Sequence, residues 1–398
     1  MKGMRIPAIL LVTAFGLIAT EAAGQEILNN YIRRGLDSNL ALKQKNFNLD
    51  KARLDLKRAQ ALFYPQASFL SQYTLASGGR TQDLPIGDLL NDVYRTLNEL
   101  TSSNKFPQVS NQDIQFLPND FHDTRVEVSV PLLNKQIKYN REIREELINS
   151  EQADADAYKR ELVRAIKEAY YKFLQAGKAV DIYNNALGLV NENLRVSEKM
   201  VNNNVATKEI VLRARAQVSQ VQTSLTEARN NRLNPAAYFN FLLNQPLTDA
   251  VIADSMVLDQ LNVSIAPVNE VPARREELQR IRSLQKVSTT NLKLSRSFWI
   301  PVINGFYQVG FQGFGFRFNN DQFYQLGGLQ LQWPLFRAND NKHKIRQAQI
   351  EADALSTKYK EAKQQLSLQV HTSYNNYRSA MQTLQSLRDE MQSTAETY

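Results

Sequence analysis

Few side chains in this 398-residue chain stand where they could do chemistry. His122, His343 and His371 are its only histidines, they are scattered, and no H-E-x-x-H zinc motif occurs. His371 lies on a heptad-patterned stretch and reads as a surface or interface residue, not as a ligand. There is no cysteine, which excludes disulfides, thiolate metal sites, thiol nucleophiles and lipid attachment through an N-terminal cysteine. No G-x-S-x-G nucleophile elbow is present. Gly310-Phe-Gln-Gly313-Phe-Gly315 has glycine spacing reminiscent of a phosphate loop. It lacks the lysine and the following helix, and it reads as a loop at a strand end. The carboxylate pairs Glu145/Glu146 and Asp154/Asp156 lie on a helix whose other residues are largely charged. General acid–base work would need a pocket that a coiled coil does not offer, so they read as a solvated face. No catalytic, cofactor-binding or metal-ligating residue is nominated, and the chain reads as a non-enzyme.

The elements around these residues explain why. Glycine (15) and proline (12) are scarce for this length, which argues for long helices and against a sandwich of many short strands. The net charge is +8. Lys and Arg alternate with Asp and Glu along helical stretches, so the balance reads as a solvated surface and not a nucleic-acid footprint. Lys2 and Arg5 precede the apolar run Ile9–Ile18, and Ala22-Ala-Gly24 follows it. That order is an export signal with cleavage expected before Gln25; a retained membrane anchor is the alternative. No later stretch approaches the ~20 apolar residues of a spanning helix, so any membrane passage must use a closed β-barrel.

The chain repeats itself. A helical stretch from about Ile27 to Ala61 runs into Phe63-Tyr-Pro65 and a strand-like segment, Gln66–Ala76. A second, from about Arg274 to Arg296, runs into Phe298-Trp-Ile-Pro301 and Val302–Gln312. Arg125-Val-Glu-Val-Ser-Val-Pro131 and Gly328-Leu-Gln-Leu-Gln-Trp-Pro334 both alternate polar and apolar residues, and proline is expected to end each strand. These two prolines stand 203 positions apart. Each is followed by a long helix, with Ala169-Tyr170-Tyr aligned to Ser373-Tyr374-Asn. The order helix–strand–strand–helix thus occurs twice. The first repeat carries a long connection, 77–121, in which Ile86–Leu100 reads as an amphipathic helix.

Heptads mark the long helices. Leu162, Ile166, Ala169, Phe173, Ala176, Val180, Tyr183, Leu187, Val190 and Leu194 are spaced 4-3-4-3, and Val211, Ala214, Val218, Val221, Leu225 and Ala228 continue beyond a polar turn. Two such helices joined by a few polar residues make an antiparallel hairpin. The outgoing one is expected over about Gln136–Met200, roughly 95 Å at ~1.5 Å per residue. Pro235 is expected to kink the returning helix or to open a new one. Ile345, Ala348, Ala352, Leu355, Tyr359, Ala362 and Leu366 repeat the pattern up to Tyr398. Symmetry then calls for a second tip and returning helix, so the sequence reads as a truncated fragment.

With these features the chain resembles the TolC-like outer membrane efflux protein family, the outer membrane factors. The likeness rests on the duplicated order, on Tyr-Pro65, Ile-Pro301, Val-Pro131-Leu and Trp-Pro334-Leu-Phe, and on Ala-Tyr170-Tyr. Glu209-Ile-Val-Leu212 and Phe241-Leu-Leu-Asn-Gln-Pro-Leu247 complete it. The family has glycine where Asn244 stands and usually near Asn204; asparagine tolerates left-handed backbone best among the other residues. The resemblance implies a mainly α fold with a small β part. Long coiled-coil hairpins would be joined to four strands lent to one trimeric membrane barrel, and the helices would continue as a periplasmic tunnel. Leu329, Leu331, Trp333 and Val126, Val128, Val130 would face lipid, with Gln330, Gln332, Glu127 and Ser129 facing water; a half-buried sheet of a soluble protein is the rival reading. Phe69, Tyr73, Phe306, Tyr307, Phe311, Phe323 and Tyr324 are candidates for interfacial girdles.

The expected organisation is an export signal (1–24), a first repeat (25–247), a linker (248–272) and an incomplete second repeat (273–398). The expected function is an outer-membrane channel subunit for efflux or export of small molecules or proteins. It would work as a homotrimer in outer-membrane lipid, with a periplasmic adaptor and an inner-membrane transporter, without nucleic acid or cofactor. The hairpin tip Val201, Asn202, Asn203, Asn204, Val205, Ala206 and Thr207 is the expected adaptor contact. The alternative is a periplasmic coiled-coil adaptor or scaffold.

Overall fold

The computed structural model describes residues 23–116, 119–254 and 274–397. Nearly all of the expected export signal and most of the expected linker lie outside the described residues. In chain order the elements are α1 (Ala23–Ser38), α2 (Leu40–Ala61), β1 (Gln66–Thr74), β2 (Thr81–Leu84), α3 (Ile86–Leu100), β3 (Gln112–Gln115), β4 (Phe121–Leu133) and α4 (Lys135–Asn202). They continue with α5 (Lys208–Leu242), α6 (Glu276–Arg296), a 3-10 turn (Ser297–Trp299), β5 (Val302–Phe314), β6 (Phe323–Gln332) and α7 (Asp340–Thr397). They fall into two compact units. One is helical, drawn from Met1–Leu54, Arg144–Ser288 and Ile350–Tyr398. The other, Asp55–Ile143 with Thr289–Gln349, holds all the strands.

In the helical unit, the single helix expected over Ile27–Ala61 is divided at Asn39. The side chain of Asn39 is buried and does two jobs. Its oxygen accepts the Leu42 amide at 3.0 Å as an N-cap, and its Nδ2 donates to the Leu242 carbonyl at 2.9 Å. The cap therefore ties the start of α2 to the end of α5. Around this joint Leu28, Leu42, Leu162, Ile166, Phe173, Phe239 and Leu243 form the core. Tyr31 meets Phe239 edge-on at 4.9 Å, and Tyr170 lies 5.6 Å from the same ring. The buried Tyr170 hydroxyl donates to the Ile252 carbonyl and accepts the Asp254 amide, while Tyr31 accepts the Ile252 amide. These bonds pin the chain that follows α5.

Antiparallel pairing of α4 with α5 is visible in its side-chain ties. Arg215 reaches Glu198 at 3.0 Å, Arg229 reaches Asn184 at 3.4 Å, and Arg232 sits 4.8 Å over the Phe173 ring. As one partner number rises the other falls, as a hairpin requires. α5 runs through Pro235 without a break, so the proline opens no new helix. On the other side of α4, α6 and α7 pair in the same sense: Arg282 donates to Tyr359 at 2.8 Å and Gln285 to the Leu355 carbonyl at 3.4 Å.

The reading of the acidic pairs as a solvated face is corrected at two positions. Asp154 is only 17% exposed and bridges two helices, accepting Lys45 of α2 at 2.6 Å and Arg280 of α6 at 2.9 Å. Glu146 binds Lys286 of α6 at 3.0 Å. Ser150, Ala153 and Ala155 are buried on the same stretch of α4. Small residues let the helices come close enough for flanking charges to meet, which residue type alone does not reveal.

The strand unit contains a four-stranded sheet of order β1-β4-β5-β6, antiparallel throughout, and a separate β2–β3 hairpin. The helix α3 spans the residues expected for it. The Gly310–Gly315 stretch is corrected from loop to strand: β5 continues to Phe314, and only Gly315, with φ +64°, makes the turn. Gly310 has no room for a Cβ, which would overlap the Thr124 carbonyl and Arg125 Cα on β4. Its glycine serves close strand approach, not phosphate.

One pH dependence follows from the helical unit. Burial alone would raise Glu277. Its own amide and the guanidinium groups of Arg160, at 2.6 Å, and Arg275, at 3.4 Å, outweigh burial and hold the carboxyl below its ordinary range. A depressed carboxylate contributes stability that is present above the unfolded-state value and lost as pH falls through the folded one. The thermal stability of the wild type should therefore fall on acidification through the carboxylate range, and Glu277→Gln should flatten that part of the profile while lowering the melting temperature near neutrality.

Candidate channel wall and hairpin tip

In the four-stranded sheet the cross-strand register sorts side chains onto two faces. On one face Phe69, Val126 and Val309 lie in register, as do Ala67, Val128 and Tyr307, with Leu329 and Leu331 on β6. Phe69 is 71% and Leu329 72% exposed. The opposite face places Ser68, Glu127 and Gln308 together, with Gln66 and Ser129 beside them and Asn304 opposite Gln330. A hollow of about 730 Å³ lined by Gln66, Glu127, Ser129, Asn304, Gln308 and Gln330, among others, lies against this face. The alternation read from sequence thus holds for Val126, Val128, Val130, Leu329 and Leu331. Trp333 lies just past the end of β6.

Charge obeys the same division. In the four strands the only Asp, Glu, Lys or Arg residues are Asp123, Arg125 and Glu127, all on the polar face of β4. Arg125 pairs with Asp123 and lies 3.6 Å from Glu127, which also accepts Gln308 at 2.9 Å. Tyr324 donates to Asp123 at 3.3 Å. A charge at the middle of a lipid-facing strand costs about 2–4 kcal/mol, so confinement to one face fits a wall with lipid on the other side.

The girdle candidates divide between the faces. Tyr73, Phe311 and Phe323 gather on the apolar face at one end of the sheet, joined by Phe316 and Phe318 of the β5–β6 turn. Register places Phe306 and Tyr324 on the polar face, so they take no part in a lipid-side girdle there. His122, one of the three scattered histidines, belongs to the aromatic cluster. It is fully buried, 5.1 Å from both Phe316 and Phe318, with its Nε2 2.8 Å from Gln322 Oε1. Counting back by twos from Val126 places it on the apolar face.

The strand-end prolines behave in two ways. Pro65 and Pro301 stand immediately before β1 and β5, and Pro334 stands two residues after β6. Pro131 is corrected: β4 passes through it to Leu133, with a register shift between Pro131 and Leu133. A bulge accommodates the missing N–H, and β1 pairs only as far as Ser129, so Pro131 has no neighbour on that side.

At the tip, Val201 and Asn202 end α4, Asn203 to Ala206 turn, and Thr207 precedes α5 in an extended conformation. Asn204 has φ +57°; its amide bonds the Val201 carbonyl and that of Val205 bonds Met200. This is a Schellman motif with asparagine at the left-handed position. Asn244 ends α5 in the same way, with φ +54° and the Gln245 amide on the Asn240 carbonyl. Val205 is exposed. Above the tip, the hydrogen bond from Arg195 holds Glu192 below its ordinary carboxylate range. Among the described residues no three His, Asp or Glu side chains converge as a metal site, and no helix is long and apolar enough to cross a membrane.

Residues 268–398 match the family model described as outer membrane efflux protein. The chain as a whole has the fold of outer-membrane channels. It superposes on the outer-membrane channel OprN with TM-score 0.67 at 17% identity, covering 91% of this chain and 76% of that one. CusC gives TM-score 0.69 at 14% identity, with coverage of 90% and 78%. VceC of Vibrio cholerae gives 0.65 at 14% identity, with coverage of 90% and 80%. No curated protein matches by sequence.

The tip geometry generates its own test. Asn204→Gly should be neutral or slightly stabilising, because glycine takes positive φ freely. Asn204→Val should lower stability by about 1–2 kcal/mol through the left-handed strain of a branched residue. Thermal melts of both variants beside the wild type check the order.

Proposed function

We propose that the chain is one of three identical subunits of an outer-membrane efflux conduit, whose four strands join those of its copies in a single closed barrel. The observation that carries this is a sheet with an apolar, exposed face, a polar face and two unpaired edges, β1 and β6. Four strands are too few to close on themselves, since the smallest membrane barrels have about eight. β1 and β6 have 9 and 10 residues, the ~9–11 that a tilted membrane strand needs. Identical copies that repeat head to tail close such edges in a ring. The helices would extend into the periplasm. The tip Val201–Thr207, with exposed Val205, would meet a periplasmic adaptor that links the channel to an inner-membrane transporter supplying the energy.

The duplication supports a definite register for the junction. Pro131 corresponds to Pro334 and Pro301 to Pro65, so β6 is the counterpart of β4 and β1 of β5. Within the chain Glu127 lies opposite Gln308 and Val126 opposite Val309. Transferred to the junction between copies, this places Gln330 opposite Gln72 and Leu329 opposite Tyr73. The polar pair falls on the polar face and the apolar pair on the apolar one.

The decisive experiment for the conduit is conductance in planar bilayers. The purified channel should show discrete steps, and their absence would sink the reading. The junction is tested in this cysteine-free background. Gln72→Cys with Gln330→Cys should oxidise to covalent dimers and trimers on non-reducing gels. Ser71→Cys with Gln330→Cys, displaced to the other face, should not.

A further inference from the structure

Asp123, Arg125 and Glu127 occupy successive inward positions of one strand, and no other Asp, Glu, Lys or Arg stands in the four strands. Two carboxylates against one guanidinium leave one net negative charge per sheet. The group is held in place by more than its own members. Gln308 on β5 donates to Glu127 at 2.9 Å and Tyr324 on β6 donates to Asp123 at 3.3 Å, so the charges are fastened across three strands. Gly310 lies opposite Arg125 in the register and leaves its own side of the wall bare beside the guanidinium. The rest of this face nearby is uncharged: Gln66, Ser68, Ser129, Asn304, Gln308 and Gln330, with Leu70, Phe306 and Leu326 among them.

We infer that this triplet is a charge filter of the barrel interior, giving the conduit a preference for cationic over anionic solutes. The inference rests on the ring reading above. In a ring each copy would place its triplet at the same height, so the lumen would carry a belt of repeated net negative charge with uncharged surface beside it. Rings of acidic side chains favour cations in a pore, and the low-dielectric lipid outside the wall strengthens the field within. Arg125 sets how strong the preference is. It balances one of its two neighbours and keeps the belt weakly and not strongly acidic, which suits solutes that must leave as well as enter.

The test uses single channels of the protein in planar bilayers under a potassium chloride gradient, read as the reversal potential. The wild type should reverse on the cation-selective side. Asp123→Asn with Glu127→Gln leaves only Arg125 in the belt and should move the reversal potential across zero to the anion-selective side. Arg125→Gln, with both carboxylates kept, should move it further to the cation side. The two variants shift in opposite directions, so loss of assembly in one leaves the other decisive. Conductance steps with the same reversal potential in the wild type and every conducting variant, or a shift of the opposite sign, would overturn the filter while leaving the channel intact. A wild type without steps would overturn the channel reading itself.

Discussion

A backbone amide inside a bilayer has no water to bond, and the edges of the four-stranded sheet depend on that fact. β1 and β6 each present a row of main-chain groups along which no further strand pairs among the described residues. In lipid every unsatisfied group costs several kcal/mol, which no favourable side-chain contact on the wall would offset. The sheet can therefore be stable in a membrane only where another strand lies along each edge. The two faces obey the same constraint in side-chain form: Phe69, Val126 and Leu329 remain exposed on one, while the triplet of charges is kept to the other. Neither arrangement would survive in a soluble monomer, where the apolar face would be an aggregation surface and the open edges a template for pairing.

Much of this architecture was legible because its periods are strong. Heptads extend over many turns in α4, and the alternation in β4 and β6 is clean, so these elements appear where the sequence placed them, to within a few residues. What failed to show was local and polar. The β2–β3 hairpin has four-residue strands, Thr-Gln-Asp-Leu and Gln-Asp-Ile-Gln, too short and polar to produce a period. Pro131 looked like a strand end because proline lacks a donor; only the pairing pattern reveals that the missing donor falls at a bulge beyond the reach of β1. The division of the first helix at Asn39 depends on a partner more than two hundred residues away, the Leu242 carbonyl. His122 and Asp154 follow the same rule. Each owes its burial to groups distant in sequence, Gln322 with Phe316 and Phe318 for the one, Lys45 and Arg280 for the other.

The two repeats share a plan but not an interior. In the first, Tyr170 is fully buried and anchors three groups through its ring and hydroxyl. Its counterpart Tyr374 is only half-buried and lines an open cleft with Tyr377, Arg164 and Arg275. The helices around that cleft are tied by ions instead, with Arg160 reaching both Glu276 and Glu277. Partly exposed ion pairs contribute at most about 1 kcal/mol each, against roughly 1.5–3 kcal/mol for burying one large apolar side chain. The joint where α1, α2, α4 and α5 meet thus rests on buried apolar contacts, and the cleft beside Tyr374 is flanked by ion pairs.

That imbalance bears on how such a protein can both stand and move. A helix pair locked by buried aromatics opens only with the loss of its core, whereas one held by screened ion pairs and polar contacts separates at small cost. The joint of the first repeat is therefore an element suited to stay fixed. The left-handed asparagines agree with a fixed first hairpin. Asn204 closes the end of α4 and Asn244 the end of α5 with paired backbone hydrogen bonds, so the chain leaves each helix in one defined direction. For the adaptor contact proposed at the tip this rigidity is favourable, since a partner docking there would find the loop already formed and would spend little of its binding energy ordering it.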